Sequence, residues 1–153
     1  MELVIQELSF GKIAVCESIL RSLPEWFGIE EAITHYVESI KKLPTLIAVK
    51  QMQTVGFLTL KQYNQFSAKI YVMGVVPQMH RQGVGRGLVR ASESCLKNGT
   101  EYLQVKTIGS SHTSKYYLST RSFYHNLGFR PIEEFTQIWG EENPCLLMVK
   151  ALQ

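Results

Sequence analysis

The residues with the clearest chemistry in this chain run from Val75 to Leu88: Val75-Val76-Pro77-Gln78-Met79-His80-Arg81-Gln82-Gly83-Val84-Gly85-Arg86-Gly87-Leu88. The β-branched residues closed by Pro77 read as the end of a strand, and Val84, Leu88, Ala91 and Cys95 then recur at helical spacing. Gly83 and Gly85 fall in the joint between the two. Glycine there removes the Cβ atoms that would hold a ligand away, and it leaves the first N–H groups of the helix pointing outward without acceptors. Such a terminus binds phosphate, because those N–H groups and the positive end of the helix dipole act together. Arg81, Arg86 and Arg90 add positive charge at the same place, the one basic cluster of the chain. Each interior glycine costs a helix about 1 kcal/mol against alanine, so this crowding of glycines asks for a compensating use. Two other phosphate loops do not fit. A GxxxxGK[ST] loop needs a Lys-Ser or Lys-Thr pair that is absent here. A GxGxxG dinucleotide turn would need glycine at Leu88, and it belongs after the first strand of a βαβ unit.

Many elements precede that joint. Leu3 to Leu8 reads as an opening strand, followed by a helix through Ile13, Cys16, Ile19, Leu20 and Leu23 that Pro24 stops. Ile29, Ile33, Tyr36, Val37 and Ile40 repeat the helical spacing up to Pro44, and strands follow at 45–49, 54–60 and 69–76. The glycine joint then opens a helix over 82–97 that Asn98-Gly99 ends. A strand at 102–108, a helix at 114–127 and two strands at 134–139 and 145–150 complete the chain. This order of hairpin strands followed by β-α-β-α-β units implies an α/β fold, with a mixed sheet and helices on both faces.

With 153 residues the chain is the length of one domain, and no repeat or linker-like run interrupts it. Hydrophobic residues at 45% against charged residues at 19% describe a globular core, neither a disordered nor a fibrous chain. Sixteen Lys and Arg against thirteen Asp and Glu give +3, too small a bias to argue for nucleic acid. Cys16, Cys95 and Cys145 are odd in number, with no CxxC spacing, so reduced thiols in a cytoplasmic protein are expected, with no metal site. Neither a signal-like start nor an apolar run of membrane length is present, so no membrane partner is expected.

The joint resembles motif A of the GNAT superfamily of N-acetyltransferases, [QR]-x-x-G-x-[GA] after a strand ending in V-x-P. His80-Arg81-Gln82-Gly83-Val84-Gly85 after Val75-Val76-Pro77 is the match, with His80 standing where the family prefers Gln or Arg. Ser122-Phe123-Tyr124-His125-Asn126-Leu127-Gly128-Phe129 is similar to the family's F-Y-x-x-x-G-F element, and Tyr117 to Tyr124 looks like its Y-x-x-T-R-x-F-Y variant. Tyr117 and Thr120 stand where the family often has Asn and Ala. The resemblance covers nearly the whole chain. It implies a single acetyltransferase-like domain over 1–153, built on a largely antiparallel central sheet of about seven strands.

The resemblance further implies acetyl-CoA as co-substrate. Its pyrophosphate would lie on Arg81, Gln82, Gly83, Val84, Gly85 and Arg86, its pantetheine along Met73 to Val75 like an added strand, and Arg121 would lie among the cofactor-binding residues. An amine of a small molecule or peptide would then attack the thioester directly. Tyr124 is the residue the pattern offers to protonate the departing thiolate. With a phenol near pKa about 10 and a thiol near about 8.5, that transfer is uphill by roughly 2 kcal/mol. A lysine-like amine is neutral at pH 7 only about once in 2,500 molecules, a cost near 4.6 kcal/mol, so a base is expected. His112, just past the fifth core strand, and Glu25 and Glu30, flanking Trp26-Phe27-Gly28, are the candidates beside deprotonation through water. Glu25, Trp26 and Phe27 lie in a turn that borders the acceptor in the family. The family often dimerises, which leaves a homodimer open. The competing reading is an acyl-CoA sensor or partner-binding module without turnover.

Overall fold

The computed structural model describes residues 2–96 and 99–152, so the expected helix end at Lys97 and Asn98 lies outside the described residues. Its elements are β1 (Leu3–Glu7), α1 (Lys12–Arg21), α2 (Glu30–Ile40), β2 (Thr45–Lys50), β3 (Gln53–Gln62), β4 (Ser67–Val75), α3 (Val84–Cys95), β5 (Tyr102–Ile108), α4 (Lys115–Asn126), β6 (Arg130–Phe135) and β7 (Cys145–Ala151). The strands follow the order β1-β2-β3-β4-β5-β7-β6, a mixed and mostly antiparallel seven-stranded sheet. The chain divides into two compact units, Met1–Lys61 with Ile70–Asn98, and Gln62–Lys69 with Gly99–Gln153.

In the first unit the sheet is covered on both faces, and strand alternation decides which side chain meets which helix. Ile47, Phe57 and Val72 point toward α1 and α2, where Cys16, Ile19, Leu20, Leu23, Ile33 and Ile40 complete a closed apolar core. The opposite face receives α3. A Cβ added to Gly56 would come within 3.1 Å of both Leu88 Cδ1 and Val84 Cγ1, so α3 sits directly on β3. Gly87 does the same for β1, since a Cβ there would approach Ile5 Cδ1 to 2.9 Å. One of the three glycines of the joint is thereby explained by helix packing, with no ligand involved.

The second unit pairs β5 with β7 and β7 with β6, all antiparallel. Here the expectation for the sixth strand needs correcting. The aromatic and β-branched residues at 134–139 suggest a strand there, but β6 runs from Arg130 to Phe135 and residues 136–144 form the connection to β7. Register outweighs propensity: Phe135 already faces Cys145 at the start of β7, so the paired residues lie before it in the chain. The three cysteines are free thiols, with Cys16 and Cys145 buried and Cys95 exposed. Burial pushes the Cys16 thiol up to about 12, which makes it unreactive.

Candidate active site

The joint between β4 and α3 lies wholly in the first unit. β4 pairs in parallel with β5 only over Ser67 to Lys69, so the rest of its length carries no β5 partner. At its end the Val76 N–H donates to the Val55 carbonyl on β3 at 2.9 Å. Successive residues of a strand point their N–H and C=O groups to opposite edges, so Val75 and Met73 present theirs to the side away from β3. The chain next makes a single tight turn at Pro77–Met79. Two side chains brace the residues after that turn. His80 Nε2 lies 2.6 Å from the Val75 carbonyl, and Gln82 Nε2 donates to the Gln78 carbonyl at 2.9 Å. Because a carbonyl can only accept, Nε2 of His80 carries the proton. Arg81, between them, is held at φ 62°, a left-handed conformation that non-glycine residues avoid.

Gly83 occupies the N-cap of α3 at φ 86°, with no side chain capping the helix and no acidic residue in its first turn. Its carbonyl receives the Gly87 N–H at 3.0 Å, while the N–H groups of Val84, Gly85 and Arg86 come too early in the helix for an intrahelical acceptor. A Cβ built on Gly83 would meet nothing within 4 Å, so the space before these donors is open. Arg81, Arg86 and Arg90 are exposed, and among the described residues none of them forms an ion pair. Donors without acceptors, charge without counter-charge and open space together make a cradle for an anion with several oxygens. The residues present therefore fit a pyrophosphate.

Trp26 and Phe27 sit in the turn between α1 and α2, their N–H groups both donating to the Leu23 carbonyl, at 3.1 and 2.9 Å. The Trp26 ring meets the His80 ring edge-on at 5.8 Å, and Phe27, Tyr36 and Tyr71 continue as a chain of edge-to-face contacts at 5.7 and 5.6 Å. All four aromatic side chains are half-buried and pack on the apolar core. Glu25 is exposed beside them. Glu30 is engaged differently: Arg21 grips both its oxygens at 2.8 and 2.7 Å while also holding Glu17 at 2.9 Å. That guanidinium keeps the Glu30 carboxyl below its usual range, which makes it a poor proton acceptor.

The remaining candidates belong to the second unit. Ser114 caps α4, its hydroxyl accepting the Tyr116 N–H at 3.3 Å, and the Ser114 N–H in turn donates to His112 Nδ1 at 3.1 Å. The lone pair of Nδ1 is thus in use and the neutral ring carries its proton on Nε2, so protonation at Nδ1 breaks the bond to Ser114. Arg121 Nη1 donates to the carbonyls of Ile108 and Gly109 at 2.8 and 3.0 Å, tying α4 to the end of β5. Tyr124 is 6% exposed, its ring packed against Phe123 and Phe129 at 5.1 and 5.4 Å. The Phe129 and Gly128 N–H groups return to the Tyr124 and His125 carbonyls at 3.1 and 3.0 Å, so Gly128, at φ 102°, closes α4 in a Schellman turn. Burial raises the Tyr124 phenol above its ordinary value. Two contacts escape sequence reasoning altogether: the His80 bond to Val75, and Glu134, whose carboxylate accepts the Ser111 hydroxyl at 2.9 Å. Neither pair has a spacing that signals contact. Among the described residues no group of three or more His, Cys, Asp or Glu is placed to hold a metal, and no helix is long and apolar enough to cross a membrane.

Residues 42–131 match the family model described as an acetyltransferase (GNAT) domain. No match was found among curated protein sequences. Solved structures of similar fold include the ribosomal-protein-S18-alanine N-acetyltransferase from Escherichia coli, with a TM-score of 0.79 and 15% identity over 99% of this chain and 95% of that one. A GNAT family acetyltransferase from Elizabethkingia anophelis with acetyl-CoA bound gives 0.74 and 19% over 98% of each chain. The aminoglycoside 6'-N-acetyltransferase from Enterococcus faecium gives 0.73 and 18% over 98% of this chain and 97% of that one.

Proposed function

Because this chain belongs to the GNAT family of acetyltransferases, whose acyl donor is acetyl-CoA, we propose that it is an N-acetyltransferase moving the acetyl group directly to a primary amine of a small molecule or peptide. The observation that carries the reading is the start of α3, where uncapped N–H groups, three arginines that form no ion pair among the described residues and open space before Gly83 coincide. In this reading residues 1–153 form one functional domain. Its free thiols suit a reducing cytoplasm, and neither nucleic acid nor a membrane is a partner.

Acetyl-CoA supplies an acyl group activated as a thioester; the protein has to hold it, place the amine and manage two protons. The N–H groups from Gly83 to Arg86, with Arg81 and Arg86, hold the pyrophosphate. Met73 and Val75 offer the free edge of β4 to the extended pantetheine. Arg121 acts one step removed, by tying the middle of α4 to the end of β5. Tyr124 donates its phenolic hydrogen toward the departing sulfur, and its raised pKa keeps that hydrogen in place across neutral and mildly alkaline pH. Trp26 and Phe27 form a wall for the acceptor, and Glu25 attracts its cationic amine. His112 Nδ1 is engaged by the Ser114 N–H and Glu30 is held by Arg21, so the proton of the incoming amine leaves to Glu25 or through water.

Calorimetry with acetyl-CoA and thiol release across a panel of amines test this. Micromolar binding with turnover on at least one amine is expected; absence of binding at millimolar acetyl-CoA defeats the reading. Tyr124→Phe should lower kcat by about 100-fold while leaving acetyl-CoA affinity within about three-fold. Since folding raises the phenol pKa, kcat should show no alkaline decline below pH about 10 that the Phe variant abolishes. A comparable loss of binding in that variant would make Tyr124 a packing residue instead.

A further inference from the structure

We propose that His80 is a positioning residue that ends the free edge of β4 and so sets the register in which the pantetheine of acetyl-CoA docks. The proposal rests on the reading of the β4–α3 joint as the acetyl-CoA site. The Val76 N–H is spent on β3, so the Val75 N–H and C=O face the other edge, the one an added strand would use. His80 Nε2 already occupies that carbonyl at 2.6 Å. The edge therefore offers an incoming extended ligand both groups of Met73 but only the N–H of Val75. A ligand strand must stop pairing there and turn toward the phosphate cradle. His80 is well placed to mark the stop, because it directly precedes Arg81, whose left-handed backbone begins the cradle. Its ring is steadied from the side by the edge of Trp26 at 5.8 Å. Together the two contacts give an exposed side chain a defined orientation in a loop that Gln82 also braces.

A support for the loop in general and a stop on the β4 edge make different predictions for two ligands. Acetyl-CoA uses the edge and the cradle; adenosine 3′-phosphate 5′-diphosphate, the same nucleotide without pantetheine, uses the cradle alone. His80→Ala should weaken acetyl-CoA about 10-fold and the nucleotide by no more than about two-fold, measured by calorimetry. His80→Gln, which keeps an N–H donor of similar reach, should restore acetyl-CoA affinity to within about three-fold of the original. Unchanged acetyl-CoA affinity in the Ala variant, equal losses for both ligands, or no rescue by Gln would each overturn the proposal. The imidazole nitrogen shifts of the ligand-free protein supply a readout that needs no ligand. An Nε2–H tautomer with an unprotonated Nδ1 is expected, and the opposite tautomer refutes the bond to Val75. Should the wild-type protein bind neither ligand, the acetyl-CoA reading fails and the docking register falls with it, while the tautomer still decides whether His80 closes the edge of β4.

Discussion

The chain makes two strand-to-helix joints with a histidine in each, and they are finished in opposite ways. Between β4 and α3 the N-cap is Gly83, no side chain caps the helix start, and the histidine donates a hydrogen bond, to the Val75 carbonyl. Between β5 and α4 the N-cap is Ser114, whose hydroxyl satisfies the Tyr116 N–H, and the histidine receives, taking the Ser114 N–H on Nδ1. Arg121 points back onto the carbonyls of that second joint, whereas Arg81 and Arg86 make no ion pair with any described residue at the first. A helix start is a general anion site only when the protein leaves it unfinished. The first joint is unfinished and the second is complete in itself.

The sharpest way to break this contrast is to occupy the first joint from within. Gly83→Asp places a carboxylate in the open space before the α3 donors, at a left-handed position that Asp tolerates better than most residues. Acetyl-CoA affinity should fall by about 100-fold or more by calorimetry, a loss well beyond the fall of a few degrees in melting temperature that the strained backbone brings. Retained affinity would mean that the cradle is elsewhere. Removing charge instead of adding it should do less. Arg81→Ala and Arg86→Ala should each weaken binding about 3- to 10-fold at low ionic strength, with the difference from the wild type shrinking as salt is raised. A loss independent of salt would point to lost packing of the arginine stem.

The two joints also differ in how legible they are in the sequence. The first announces itself locally: glycines, arginines and the absence of a capping side chain are all residue types in a short window, and they keep their meaning in the structure. What the window hides is the use of His80, because its partner Val75 lies on the strand behind it and no spacing rule links them. The second joint contains His112, which in sequence is indistinguishable from a free base. Only the folded turn brings the Ser114 N–H to its Nδ1. Glu30 is obscure for a similar reason, since Arg21 reaches it across the turn between two helices. The edge strand β6 escapes a sequence reading because Arg130-Pro131-Ile132-Glu133-Glu134 has neither alternation nor a buried face, and its pairing is imposed by β7. Function in this chain is therefore visible where groups are left unsatisfied, and invisible where a distant partner satisfies them.

The smallest expected effect tests the completed joint. Ser114→Ala removes the hydroxyl that accepts the Tyr116 N–H but leaves the backbone N–H that Ser114 gives to His112. Loss of an N-cap oxygen costs about 1 kcal/mol. In a domain of this size that lowers the melting temperature by roughly 2 to 4 °C. Acetyl-CoA affinity should stay within about two-fold, because the variant touches no group of the cradle on α3. Nor should the freed N–H groups of α4 create a new anion site, since the side chain that would complete it, Arg121, is already committed to the Ile108 and Gly109 carbonyls. A titration with inorganic phosphate, compared between the variant and the wild type, would expose such a site if one formed. If Ser114→Ala gained phosphate binding, the difference between the joints would lie in one hydroxyl; if it lost acetyl-CoA, the second joint would be part of the cofactor's path and the contrast between them would fail.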